Sequence, residues 1–211
     1  HPGFKVSVAH TVSHFSSKIA RELNLPKHGF NPVSTPMATV GLSTKGEHLT
    51  LKGDEASGVG AEDSSNYRDY RKVLQQFSKT LEPFWLKTLP RIGTKALPEL
   101  ITFAHLGLKM RMLGKKDMGE FMRVATLPAR DLMDENFDSD ALKALLSWDG
   151  LIGARMAPRS PNASVLAMLY RMSGESGGAH AIPAGGIEAL VNALAGAAKE
   201  EGVEIRTRAR V

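Results

Sequence analysis

The feature that most constrains the fold of this chain is a stripe of apolar side chains between residues 63 and 84. Its members are three or four residues apart: Tyr67, Tyr70, Leu74, Phe77, Leu81 and Phe84. This spacing places them on one face of an α-helix, which Asp63 or Ser64 is suited to cap. Pro83 lacks a backbone N–H and is expected to end or kink the helix. The sequence therefore predicts a long helix that buries one face in a core.

Shorter elements are predicted on both sides of this helix. Residues 4–12 alternate in polarity like a strand, and Ser13 is suited to cap a helix that ends near Asn24 and Pro26. Strands at 37–42 and 48–52 form a hairpin that turns at Gly46, followed by a loop over 53–62. Further helices are predicted at 97–113, 117–125, 128–134, 139–147 and 163–172. The expected fold class is α+β, predominantly helical, with a small β-sheet.

The clearest local pattern is a loop, helix and strand unit near residue 211. The pair Gly185-Gly186 follows Pro183 and leads into an amphipathic helix, Gly202 is suited to end that helix, and a β-rich run covers 203–211. A glycine pair before a helix permits close approach of the backbone and presents free N–H groups to an anion or a polarised carbonyl. A tight turn into a packed helix explains the same pair equally well.

The segment 97–113 has two interpretations. Its body is unusually apolar, and its basic residues Lys109, Arg111, Lys115 and Lys116 cluster at or beyond its end. A helix of this kind fits a peripheral contact with a membrane surface or a lipid-like substrate. A buried helix whose last turn is solvated fits the same pattern.

Composition and motifs argue against several classes of function. The 27 basic and 22 acidic residues are well mixed despite a net charge of +5, so no nucleic-acid partner is predicted. The absence of cysteine excludes disulfides, and an intracellular, cytoplasmic location fits best. His10 and His14 lack a carboxylate at motif spacing, so no metal site is expected. The run from Gly58 to Asp63 lacks the third glycine of a dinucleotide fingerprint and follows no convincing strand.

Three separated blocks, taken in order, resemble one known family. They are residues 2–7 with 20–30, residues 126–144 continuing to Gly150 and Gly153, and residues 183–207. The first contains Pro-Gly-Phe and a His-Gly exit, and the third contains Pro-Ala-Gly-Gly and Gly-Val-Glu-Ile-Arg-Thr. Together they resemble the phytoene dehydrogenase-like oxidoreductases, and the likeness extends over essentially the whole chain.

The resemblance implies the substrate domain of a two-domain flavoprotein. The intact protein would use FAD for hydride transfer to or from an apolar small-molecule substrate of an isoprenoid or lipid-like kind. Cofactor-binding positions carried over are Gly185, Gly186, Ala9 and His10, while the catalytic residues are unknown. Many relatives carry Asp and Gly where this chain has Ser7 and Ala9, and the aromatic residue before Pro183 is replaced by Ala181-Ile182, which puts the pocket's shape in question.

The resemblance also implies a domain order. Residues 1–62 form the entry region, 63–175 the helical substrate domain, and 176–211 the return to the FAD domain. The Rossmann, NAD(P)-binding-type segment is not in this sequence, which opens without Met and closes on a strand-like run. We therefore expect the FAD-binding segments elsewhere in a longer protein, with no FAD bound to these 211 residues alone and no activity. The alternative is a non-catalytic helical module that binds lipid or a protein partner.

Overall fold

A computed structural model describes residues 15–31, 37–153, 155–160, 164–174 and 177–209. The helices in these ranges are α1 (Ser17–Glu22), α2 (Ala61–Leu81), α3 (Leu97–Met112), α4 (Gly114–Val124), α5 (Ala129–Asn136), α6 (Asp140–Leu151), α7 (Ser164–Met172) and α8 (Gly186–Glu200). The strands β1 (Thr39–Gly41), β2 (Leu49–Lys52) and β3 (Glu55–Ser57) form one antiparallel sheet in that order. The predominantly helical α+β fold class is confirmed. The predicted strand at 4–12 and the cap at Ser13 lie outside the described residues.

The chain divides into two compact units, one formed by residues 1–37 with 174–211 and the other by residues 38–173. In the first unit, a 3₁₀ turn at Leu25–His28 contacts both α1 and α8. Asn24, with a φ of 47°, connects α1 to this turn. The core of this unit consists of Ala20, Leu25, Phe30, Leu190, Ala193 and Ala197. The domain boundaries at 62 and 175 that the sequence suggests stay a prediction.

Helix α2 is the centre of the second unit. Four residues of its predicted stripe, Tyr67, Tyr70, Leu74 and Phe77, are buried. They join a core with side chains from the sheet and from α4 to α7. Helix α2 ends at Leu81, and Pro83 lies in the 3₁₀ turn Glu82–Phe84 that follows. The long helix and its end are therefore confirmed, but the predicted cap at Asp63 or Ser64 is wrong, because the helix begins at Ala61 after Gly60.

The sheet is one strand larger than predicted. Strands β1 and β2 form the expected hairpin, but β3 occupies part of the segment predicted as a loop. Its Ala56 is buried, and the Ser64 hydroxyl of α2 donates a hydrogen bond to the Ala56 carbonyl at 3.0 Å. The Tyr67 hydroxyl donates to the carbonyl of Gly53 at 3.2 Å. The strand was missed because packing on α2, and not intrinsic β-propensity, holds this Glu-Ala-Ser segment in place.

Two polar side chains fix the start of α6. The buried carboxylate of Asp63 in the first turn of α2 accepts hydrogen bonds from the backbone N–H groups of Asp138 and Ser139, both at 2.9 Å. The Ser139 hydroxyl accepts one from the N–H of Leu142 at 3.3 Å and so caps the helix that the sequence predicts at 139–147. One carboxylate thus lies at the positive ends of two helices.

Helices α5, α6 and α7 meet at a small residue and a buried hydroxyl. A side-chain carbon at Gly150 of α6 would lie 2.8 Å from the carbonyl oxygen of Ser164, the first residue of α7. The Ser164 hydroxyl is itself fully buried and accepts a hydrogen bond from the N–H of Ala129 at 2.7 Å. The three helices are therefore in contact around one point.

Helix α8 ends as predicted, but no strand follows it in the described chain. The N–H groups of Gly202 and Val203 donate to the carbonyls of Lys199 and Ala198, which is the Schellman pattern, and Gly202 has a φ of 79°. Residues 203–209 are exposed and carry no strand assignment. The predicted strand is wrong over these residues, because a strand needs a pairing partner and none of the described segments pairs with them.

Helix α3 contradicts one of the two interpretations of its sequence. None of its residues is buried, so the interpretation of 97–113 as a buried helix is wrong for the described chain. Among the residues that the structure describes, no helix has the length and apolar character required to cross a membrane.

Candidate functional site

The two described residues of the predicted cofactor site lie at the start of α8. Gly185 immediately precedes the helix and Gly186 is its first residue, with φ values of 79° and 72°. The Gly186 N–H donates to the carbonyl of Pro183 at 2.8 Å, which closes a tight turn. The other two predicted residues, Ala9 and His10, lie outside the described residues.

This turn requires glycine for its own geometry. Positive φ values in this region are unfavourable for residues with a side-chain carbon, so both positions favour glycine whether or not a ligand is bound. A side-chain carbon at Gly185 would also lie 3.2 Å from Cβ of Ala189. At Gly186 it would meet no atom within 4 Å. The turn is therefore sterically specified, and the space beside Gly186 is open.

The first turn of α8 could donate backbone hydrogen bonds to acceptor atoms at the edge of a planar ring. No side chain among the described residues caps it, so N–H groups of its first turn remain available. Glu188 lies in the same turn and is exposed, and its negative charge already occupies the positive end of the helix. Because Glu188 would repel a phosphate group, a neutral acceptor such as a polarised carbonyl or a ring nitrogen fits this helix start better.

The opposite end of α8 carries a small charged cluster. Glu200 accepts a hydrogen bond from Lys27 and lies 3.1 Å from Nε2 of His28. The Lys27 ammonium, with a smaller contribution from His28, lowers the pKa of Glu200. These residues line an open cavity of about 380 Å³ together with Leu23 and Asn24. The cluster joins α8 to the 3₁₀ turn, and we assign it to packing.

A half-buried ion pair in the second unit was missed from the sequence. Nε of Arg171 in α7 lies 3.2 Å from a carboxylate oxygen of Asp149 in α6, whose side chain is 32% exposed. Burial raises the pKa of Asp149, while the positive charges of Arg171 and Arg71 act in the opposite direction. The one sequence signal that could have indicated this ion pair is an acidic residue, Asp149, within the apolar run of α6.

The surroundings of this pair explain its electrostatics. The hydroxyl groups of Tyr67 and Tyr70 have raised pKa values, chiefly because both are buried, and Asp149 adds to the effect. A carboxyl group in such a setting holds its proton to higher pH than an exposed one. Asp149 lines neither the cavity at the end of α8 nor a second cavity between α2, α4 and α5. We therefore assign the pair to the attachment of α7 on α6.

A second cavity, of about 230 Å³, lies between α2, α4 and α5. Arg123 lines it and is held by the carboxylates of Glu120 and Glu135 at 2.7–2.9 Å. The Arg123 side chain lowers the pKa of Glu120 through this hydrogen bond. The volume is below the range of about 300–1,000 Å³ typical of small-molecule sites. No group of three or more potential metal ligands occurs in the described part of the chain.

The rejected dinucleotide fingerprint has a structural explanation. A strand, β3, does precede Gly58, contrary to the expectation from the sequence, but it belongs to an antiparallel sheet. Gly58 has a φ of 79°, and a side-chain carbon there would lie 2.3 Å from the carbonyl oxygen of His48. This glycine permits close approach of two backbone segments, and its sheet lacks the parallel βαβ arrangement of a dinucleotide site.

Comparisons with known proteins give the family. Residues 17–211 match the family described as flavin containing amine oxidoreductase. The chain is similar to pyridine nucleotide-disulfide oxidoreductase domain-containing protein 2 of Mus musculus, with 28% identity over 235 residues, and of Rattus norvegicus, with 29% over 234 residues. Each alignment covers 100% of this chain and 40% of the relative, so the chain spans well under half the length of these curated proteins. No solved structure matches it. Because the family match extends over most of the sequence, the chain belongs to the flavin containing amine oxidoreductase family.

Proposed function

We propose that this chain forms the substrate-side part of an FAD-dependent dehydrogenase or desaturase of the phytoene dehydrogenase-like type. The match of residues 17–211 to a flavin oxidoreductase family carries the proposal. The likeness to two oxidoreductase domain-containing proteins, each more than twice as long as the aligned segment, supports it. The activity belongs to the complete protein.

The chemistry of the described residues is consistent with a reaction performed by a cofactor. FAD, when bound, supplies the hydride-accepting or hydride-donating centre. The protein then has to position the substrate and exclude water, and needs no nucleophile with an adjacent base. Asp149, whose carboxyl pKa burial raises, lines neither cavity. We therefore assign no catalytic residue in this chain.

Within this proposal, Gly185 and Gly186 lie against the flavin. The open space beside Gly186 and the N–H groups of the first turn of α8 support this role. Ala9 and His10 remain part of the proposed site on the strength of the family resemblance alone.

A matched pair of glycine substitutions tests the role of the turn. Gly186 and Gly202 lie at the two ends of α8, have φ values of 72° and 79°, and would each place a side-chain carbon in open space. Alanine at either position should therefore introduce a similar backbone strain of about 1–2 kcal/mol. We expect Gly186→Ala to lower the flavin retained by the complete protein after gel filtration and Gly202→Ala to leave it unchanged.

The readout is flavin absorbance per mole of protein, with the thermal midpoint measured alongside. If Gly186→Ala and Gly202→Ala retain the same amount of flavin and are equally stable, the turn at Gly185 and Gly186 has a structural role only. A complete protein that carries no flavin when purified or reconstituted would contradict the flavoenzyme proposal itself.

The proposed substrate class is apolar. Bound flavin in the complete protein should be reduced, without oxygen, by isoprenoid or lipid-like compounds and should resist reduction by amines. Reduction by amines alone would overturn the proposed apolar substrate class but would still support a flavin-dependent reaction.

A second candidate is a non-catalytic helical module that binds lipid or a protein partner. The exposed apolar residues of α3 favour it, since they contribute little to the described core. The flavin spectrum of the complete protein separates the two candidates, because a binding module has no need of a bound chromophore.

A further inference from the structure

The positive charge of the chain is concentrated in one stretch. Residues 86–116 contain one acidic residue, Glu99, and seven basic ones: Lys87, Arg91, Lys95, Lys109, Arg111, Lys115 and Lys116. Their net charge is +6, whereas the whole chain carries +5, so the remaining residues sum to −1. Six of the seven basic side chains are exposed. Residues 86–116 are therefore strongly basic, although basic and acidic residues are well mixed over the sequence as a whole.

The same stretch exposes an aliphatic surface on α3. One side of this helix is held in place, because His105 packs against the ring of Phe84 at 5.2 Å and Met110 packs against the core. The other side points to solvent and consists mainly of large apolar residues: Leu97, Leu100, Ile101, Phe103, Leu108 and Met112. Arg111 is the charged residue among them. This side of α3 is the outer face.

The chain before α3 continues this pattern. Leu86, Leu89 and Ile92 are 55%, 86% and 98% exposed. The exposed basic side chains of Lys87, Arg91 and Lys95 alternate with them along the chain. Aliphatic groups and cations are thus interleaved at one surface, which we name the 86–116 surface.

We propose that the 86–116 surface binds a bilayer that contains anionic phospholipid. Aliphatic side chains of the outer face and of the preceding segment would enter the boundary between headgroups and acyl chains, and the basic side chains would contact lipid phosphates. Because no described helix can span a bilayer, the contact is peripheral. The excess of basic over acidic residues is what favours an anionic surface over a neutral one.

Charge also argues against a second copy of the chain as the occupant. In a two-fold dimer the same patch faces itself, so two stretches of net charge +6 would be brought together. Such like-charge contacts are unfavourable unless acidic groups intervene, and Glu99 is the one acidic residue in the stretch. A lipid surface supplies the missing negative charge. The inference concerns binding alone and does not depend on the proposed flavin chemistry.

Co-sedimentation of the complete protein with vesicles tests the proposal. One set of vesicles contains phosphatidylcholine alone, and the other contains phosphatidylcholine mixed with phosphatidylglycerol. We expect binding to the mixed vesicles at low salt, little binding to phosphatidylcholine, and release as salt is raised. The double variant Ile101→Glu with Leu108→Glu should reduce the partition coefficient by about tenfold or more.

Val191 of α8 provides the matched control. It is 55% exposed, against 57% for Leu108, and lies outside the 86–116 surface. Val191→Glu should leave vesicle binding unchanged. Failure of the wild-type chain to bind mixed vesicles at low salt, or equal loss of binding in Val191→Glu and the double variant, would overturn the proposal.

Two further measurements identify other occupants. If sedimentation velocity showed a dimer that the double variant converts to monomer, the occupant would be a second copy. If the outer face were covered by another part of the same protein, the double variant would lower the thermal midpoint markedly without any lipid. Either result would overturn the proposal, because a free lipid-binding surface tolerates these substitutions in solution.

Discussion

Helices α2 and α3 follow one another in the chain and use their apolar residues in opposite ways. Nine of the 16 residues of α3 are apolar, against seven of the 21 residues of α2. Nevertheless α2 has seven buried residues and α3 has none. The difference lies in distribution, since α2 gathers its apolar residues on one face and α3 carries them on all sides. Apolar content alone therefore does not identify the helix that forms the core.

The polar contacts also tie α2 more firmly than α3 to the rest of the unit. Asp63 and Ser64 of α2 make hydrogen bonds to α6 and β3. On α3, the Thr102 hydroxyl donates to the carbonyl of Pro98 in the same helix, and Glu99 accepts from the N–H of nearby Arg91. Helix α2 is thus fixed by distant partners, whereas these contacts of α3 are local. We expect the stability of the second unit to depend on α2 far more than on α3.

The largest expected effect comes from equal truncations in the two helices. Leu74 of α2 is 1% exposed and Leu108 of α3 is 57% exposed. Leu74→Ala should lower the free energy of unfolding by about 2–5 kcal/mol, because it removes buried methyl groups and leaves a cavity. Leu108→Ala should change it by less than about 0.5 kcal/mol. Urea denaturation of both variants measures the difference.

Equal losses of unfolding free energy in Leu74→Ala and Leu108→Ala would contradict the proposed difference between α2 and α3. That result would mean that α3 is covered in solution, and it would count against a free 86–116 surface as well. Met112→Ala, at a residue that is 71% exposed, serves as a second control on α3.

A smaller effect is expected at the polar end of α2. Asp63→Ala leaves the N–H groups of Asp138 and Ser139 without their acceptor, and should cost about 1–3 kcal/mol of unfolding free energy. Ser139→Ala, which removes one cap bond from the same helix α6, should cost about 1 kcal/mol. Thermal or urea unfolding measures both. A loss at Asp63 no larger than that at Ser139 would show that the link from α2 to α6 adds little.

The smallest effect concerns the pH dependence of the ion pair beside α2. Burial raises the pKa of Asp149 above its ordinary value of 3.8, so the folded state binds this proton more tightly than the unfolded state. This contribution to stability is complete below that value and is lost as pH rises through the folded pKa. The stability of the wild type relative to Asp149→Asn should therefore fall as the pH is raised above 3.8 and the carboxyl group in the folded protein loses its proton.

Urea unfolding of both proteins across this range tests the sign. The difference between the two free energies is the relevant quantity, since other carboxyl groups contribute equally to both. A difference that grows with pH would mean that the charge of Arg171 outweighs the effect of burial.

Much of the fold was predictable because its helices are locally specified. The stripe from Tyr67 to Phe77 fixed α2, Ser139 fixed the start of α6, and Gly202 fixed the end of α8. The errors share a cause that lies outside local sequence. Strand β3 exists because Ala56 packs on α2, and residues 203–209 form no strand because no described segment pairs with them. Neither partner can be recognised from the segment itself.

The candidate site was predictable in part. The pattern Pro183-Ala184-Gly185-Gly186 located a glycine-dependent turn, and the structure shows two positive φ values there. It did not reveal the ion pair of Asp149 and Arg171, because its two residues are separated along the chain and meet only when α6 packs on α7. The roles of Ala9 and His10 stay predictions.

The contact at Gly150 has a mechanical consequence for the second unit. A single added methyl group would press on the backbone at Ser164, whose hydroxyl holds the first residue of α5. Helix α6 therefore cannot move closer to α7 without displacing Ser164 and, through its hydrogen bond, the first residue of α5. Because the three helices also pack on one another, we expect a larger side chain at position 150 to displace all three and not α6 alone.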